Sequence, residues 1–88
     1  MVIENVLECC GTLADDLWSF GTRPEGAYTA DEVALVRESL SLRLADVKGR
    51  EAAILANRHR HSRRNEEVLE SMFRAIEEID ELAAKFML

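Results

Sequence analysis

Turn formers, cysteines, aromatics and long apolar runs are all scarce in this chain, and each scarcity closes off a class of protein. Four glycines and one proline in 88 residues are too little punctuation for the many short strands of a sandwich or barrel. The two cysteines, Cys9 and Cys10, are adjacent, and neighbours in sequence do not readily reach disulfide geometry. A secreted domain of this size normally carries more of them, better spaced. They are expected to be reduced thiols, which points to the cytoplasm. No run approaches the ~18 continuous apolar residues of a membrane span. The start, Met1-Val2-Ile3-Glu4, has no basic region of the kind that opens a signal peptide. Basic side chains are outnumbered eleven to seventeen, for a net charge of −6. That balance disfavours an anionic membrane surface.

What is present reads as one small folded domain. Apolar residues make up 48% of the chain, too many for wholesale disorder. At this length the buried fraction of surface is small, so the core alone is marginal and a partner subunit is a natural source of further stability.

Charge is distributed in three blocks. Met1 to Val47 holds nine acidic and three basic side chains, Lys48 to Arg64 one acidic and six basic, and Asn65 to Leu88 seven acidic and two basic. The centre of the inversion is Arg58-His59-Arg60-His61-Ser62-Arg63-Arg64. A folded chain with this pattern has a polarised surface.

Hydrophobic spacing predicts three helices. The first spans about 2–20, with Ile3, Val6, Leu7, Cys10, Leu13, Leu17 and Phe20 at helical intervals. Gly11 within it costs about 1 kcal/mol relative to alanine, and the first residues could alternatively pair as a short strand. Residues 21–29, with Gly21, Pro24 and Gly26, read as a loop. Thr29-Ala30-Asp31-Glu32 is then a capping box, with two acids suited to the positive end of a helix dipole. The second helix, about 30–57, carries Val33, Val36, Leu40, Leu44 and Val47. Leu40-Ser41-Leu42-Arg43-Leu44 competes as a strand-like alternation, and Gly49 is where this helix could kink or end.

No apolar residue occurs from Asn57 to Glu67, so 58–64 is expected to be a basic turn. Asn65, followed by Glu66 and Glu67, resembles a fresh N-cap. The third helix, about 65–87, has the strongest period: Leu69, Met72, Ile76, Ile79, Ala83 and Phe86 alternate by three and four like a coiled-coil seam. Val68, Phe73 and Leu82 widen it. Arg74 with Glu78, and Glu81 with Lys85, are placed for helix-surface pairing.

The expected fold is all-α: an antiparallel helical hairpin from Thr29 onward, packed by the N-terminal helix, its bundle completed by homodimerisation. Leu69, Met72, Ile76, Ile79 and Phe86 are the expected self-association seam.

Chemical constellations are weak. His59 and His61 are two apart, a spacing that diverges on a helix, and no four-ligand zinc pattern is present. Cys9 and Cys10 have no local signature of a base and an orienting group; Cys10 falls on the apolar stripe as a small buried residue. Glu77, Glu78, Asp80 and Glu81 flank inward-facing Ile76 and Ile79, so they are expected in solvent and not as a bundle metal site. Trp18 sits beside the stripe and leans to the core; Tyr28 is the better candidate for exposure. No catalytic site, metal or cofactor is expected.

The function implied is that of a small non-enzymatic interaction protein, a regulator, adaptor or inhibitor whose helical and charged surfaces bind another macromolecule, with a protein the favoured partner. The partner-binding residues expected on charge are Arg58, His59, Arg60, His61, Arg63 and Arg64. The alternative is a nucleic-acid-binding dimer gripping phosphates with the same turn, although such domains are usually basic overall.

Overall fold

The computed structural model describes residues 3–56 and 66–87. It has three helices, α1 (Ile3–Gly21), α2 (Ala30–Ala56) and α3 (Glu66–Phe86), and no strand occurs among the described residues. The all-α expectation therefore holds, and the first residues of α1 are helical from Ile3. Asn57 to Asn65, with the whole basic turn, lie outside the described residues.

α1 forms because its apolar side chains recur at three and four residues and find a surface to cover. Ile3, Val6, Cys10, Leu13, Leu17 and Phe20 are all buried. Its end is well satisfied. The backbone N–H and the hydroxyl of Thr22 both donate to the Trp18 carbonyl, at 2.9 and 2.7 Å, and the Arg23 guanidinium donates to the Phe20 carbonyl at 2.6 Å. The loop then turns through Gly26, whose φ of 83° lies in the region that glycine enters without steric cost.

The capping box closes as its sequence implies. The Thr29 N–H donates to Glu32 Oε1 at 3.1 Å, and the Glu32 N–H donates to Thr29 Oγ1 at 3.2 Å. α2 then runs helically through Gly49 to Ala56. It contributes Leu40, Val47 and Ile54 to the core, with Val33, Val36 and Leu44 partly covered. α3 contributes Leu69, Met72, Ile76 and Ile79.

Cross-contacts give the topology. Arg43 reaches Asp16 and Arg50 reaches Cys9, so later residues of α1 meet earlier residues of α2 and the two helices are antiparallel. Lys48 pairs with Asp80 at 2.7 Å, while Phe86 lies against Trp18 and Gly21; α3 therefore runs alongside α1 in the same direction. The result is an up-down-up bundle of extents 49 × 18 × 17 Å, elongated because the 27 residues of α2 extend about 40 Å.

The packing partners differ from those expected. α2 and α3 are antiparallel, but they touch each other little; α3 packs chiefly on α1 and α2 packs chiefly on α1. The N-terminal helix is thus the centre of the bundle and not a cover laid over a finished hairpin. The physical reason lies in the stripes. α1 and α3 each carry a continuous apolar face, whereas α2 divides its apolar residues between two sides.

Candidate interaction surface

The expected self-association seam is used inside the chain. Leu69, Met72, Ile76 and Ile79 are buried at 0–4% exposure, covered mainly by α1, so in this fold they are core. Phe86 is half-buried and closes the same end of the bundle: its ring meets the face of Gly21 and lies edge-on to Trp18, with centroids 5.7 Å apart. The Lys85 ammonium stands 5.1 Å from the Phe86 ring centroid and 5.8 Å from that of Trp18. Trp18 itself is 54% exposed, which corrects its expected place in the core: one side of the indole leans on α3 and the other faces solvent. Tyr28 is exposed, as its loop position suggested.

The charged partner site expected at Arg58, His59, Arg60, His61, Arg63 and Arg64 lies outside the described residues. The remaining charges are dispersed. Arg43 pairs with Asp16 at 2.6 Å and Arg50 with Asp46 at 3.1 Å. Arg74 pairs with Glu70, one turn toward the N-terminus, where spacing also offered Glu78. All are substantially solvated, so each contributes at most about 1 kcal/mol. Asp80 is taken by Lys48, and Glu77, Glu78 and Glu81 are exposed. Among the described residues no three His, Cys, Asp or Glu side chains are grouped so as to hold a metal, and no helix is long and apolar enough to cross a membrane.

The cysteines separate in role. Cys10 is buried beneath the α1–α2 contact. Burial first, then neighbouring Cys9 and Glu51, pushes its thiol above the ordinary range, so it stays protonated and acts as a small apolar group. Cys9 lies half-exposed in an open groove of about 460 Å³ between α1 and α2, beside Arg43, Asp46 and Arg50. An Arg50 guanidinium nitrogen approaches its sulfur at 4.0 Å. Both arginines are already engaged by carboxylates, Arg43 by Asp16 and Arg50 by Asp46.

A feature that sequence spacing did not single out is the outward face of α2. Leu35 and Leu42 are each 66% exposed. Seven residues apart, they lie on one stripe of the helix. Gly49 and Ala56 continue that stripe at the same interval, with Ala45 and Ala52 beside it, and all four are exposed. The buried residues Leu40, Val47 and Ile54 point the opposite way. α2 is consequently apolar on two faces, one spent on α1 and one facing water. A single exposed leucine is ordinary, whereas two in line on one helix face leave an apolar strip in water. The signal was present in the sequence as Leu35 and Leu42 at a heptad interval, masked there by the stronger stripe of Leu40, Leu44 and Val47.

Set against known protein families, curated proteins and solved structures, the chain matches none.

Proposed function

We propose that this chain is a small non-enzymatic interaction protein, a regulator, adaptor or inhibitor that recognises another protein through the outward face of α2. The observation that carries this reading is the pair Leu35 and Leu42, two-thirds exposed and in line on the side of α2 opposite the core. Burying such a leucine is worth about 1.5–3 kcal/mol, so the strip leaves unspent binding energy on the surface of an otherwise finished bundle. The acids beside it (Asp31, Glu38 and Asp46) give it a polar rim, the usual anatomy of a protein-binding patch.

The test is affinity capture with the intact chain as bait, in parallel with a Leu35→Glu/Leu42→Glu variant. The strip is at the surface, so the variant is expected to keep its helicity while losing a partner that the parent retains. A parent that retains nothing specific, or a partner held equally by both, overturns the proposal.

A second reading rests on the sequence block Arg58–Arg64: contact with nucleic acid through its cations. It predicts affinity that falls steeply with salt, and its loss when Arg58, Arg60, Arg63 and Arg64 become alanine. Binding that ignores those substitutions overturns it. The excess of acid elsewhere in the chain makes this the weaker of the two.

A further inference from the structure

Resting on the reading of α2 as a docking surface, we infer that the occupant of its outward face is a second copy of this chain, paired antiparallel about a twofold axis near Ala45 and Asp46.

The argument is one of shape. Along one stripe at seven-residue intervals stand Leu35, Leu42, Gly49 and Ala56: two large residues toward one end, two small toward the other. The complement of such a surface is itself reversed. In an antiparallel pair Leu42 faces the second copy's Gly49, and Leu35 faces the second copy's Ala56. The symmetry of an isologous interface then repeats each contact. Large residues opposite small ones let two helices approach closely and interdigitate.

Gly49 supplies an independent observation. It lies mid-helix, where glycine costs about 1 kcal/mol relative to alanine. A Cβ placed on it meets nothing within 4 Å, so no contact of the described bundle requires its smallness. A leucine arriving from a second copy does. Charge is mixed along both halves, with Arg37 and Arg43 among the acids of the leucine half and Asp46 and Glu51 beside Lys48 and Arg50 in the other, so shape and not charge sets the register. The strip from Leu35 to Ala56 is about 30 Å long. One helix face of that length sits at the small end of specific interfaces, so a dimer that dissociates on dilution is expected.

The experiment is sedimentation equilibrium on the full chain over a concentration series, with urea unfolding to confirm that each variant is folded. Gly49→Leu has room for its side chain in the monomer and a better helix former in place of glycine, so it is expected to remain folded. Yet it should weaken dimerisation by more than about tenfold, the least that losing one buried leucine implies. The swap Leu42→Gly/Gly49→Leu recreates the large-opposite-small pairing and should regain most of the loss. If Gly49→Leu instead strengthens association, the helices are parallel and the register is wrong. A dimer indifferent to both variants overturns α2 as its surface. A parent that stays monomeric throughout overturns the second copy alone, because the docking role of the face is decided separately by the capture experiment with Leu35→Glu/Leu42→Glu.

Discussion

Replacing Gly21 with alanine tests the closed end of the bundle, because two effects of opposite sign meet there. Gly21 is the last residue of α1 and has an ordinary right-handed backbone; Gly26 is the one glycine with positive φ among the described residues. On backbone grounds alone, Gly→Ala at a compatible site stabilises by about 0.4–1 kcal/mol, mostly by restricting the unfolded chain. Gly11 is the reference case: exposed in the middle of α1, with nothing within 4 Å of an added Cβ, it should show that gain. At Gly21 the added methyl would run into the ring of Phe86. Overfilling a packed contact costs about 1–3 kcal/mol. If the ring swings away to escape, it forfeits its edge contact with Trp18, worth about 0.5–1.5 kcal/mol beyond the buried area. The clash outweighs the backbone gain at mid-range, and a displaced ring adds the apolar area it uncovers to the lost edge contact, so Gly21→Ala is expected to destabilise, by up to about 1 kcal/mol. In a Phe86→Ala background the clash is gone, and the same substitution should stabilise. Urea unfolding at fixed protein concentration, followed by Trp18 fluorescence and far-UV circular dichroism, measures all four corners of this cycle. Trp18 is the single tryptophan, so its emission also reports the movement of Phe86 directly. A Gly21→Ala chain that gains as much as the Gly11→Ala chain, with Trp18 emission unchanged, would refute the packing of Phe86 across Gly21.

Other outcomes follow from the core, the cap and the buried thiol. Leu13 is fully buried at the centre of α1, so Leu13→Ala should cost about 2–5 kcal/mol; a loss under about 1 kcal/mol in urea unfolding would mean that α1 is not the central helix. Thr29→Ala removes the hydroxyl that accepts the Glu32 N–H and should cost about 0.5–2 kcal/mol, whereas Thr29→Ser, which keeps that acceptor, should cost little. The Cys10 thiol is raised from 9.0 by burial, so the folded state holds its proton more tightly than the unfolded state. Stability from this group is fully present below pH 9.0 and declines as pH rises past that value. Cys10→Ala should start less stable but show a shallower alkaline decline; an unchanged slope would exclude Cys10 as its source.

Much of the local structure was legible in the residues themselves. The stripes Ile3 to Phe20 and Leu69 to Phe86, the loop between Gly21 and Thr29, and the Thr29–Glu32 capping box each rest on spacing within one turn or a few turns of helix. Interactions of that range do not depend on which distant element packs where. Cys10 as a small buried residue was legible for the same reason, since it falls on an apolar stripe at a fixed interval. Trp18 was not. Its position beside the stripe pointed to the core, whereas its half-exposed place was settled by where the end of α3 passes.

Which helix occupies the centre was likewise beyond the sequence. Periodicity says that a helix has an apolar face, but not which partner covers it, and the same Leu69–Ile79 stripe would serve a dimer seam or an internal core equally well. Tertiary structure assigned it to α1, because the two most continuous apolar faces among the described helices pack more extensively on each other than either does on α2. That pairing then left α2 with one face covered and Leu35 and Leu42 in water. The amino-acid sequence by itself determined three helices, their caps and their apolar stripes, through short-range spacing. Only the folded structure decided which stripe became core and which became surface, because that choice is made by competition among faces far apart in the chain.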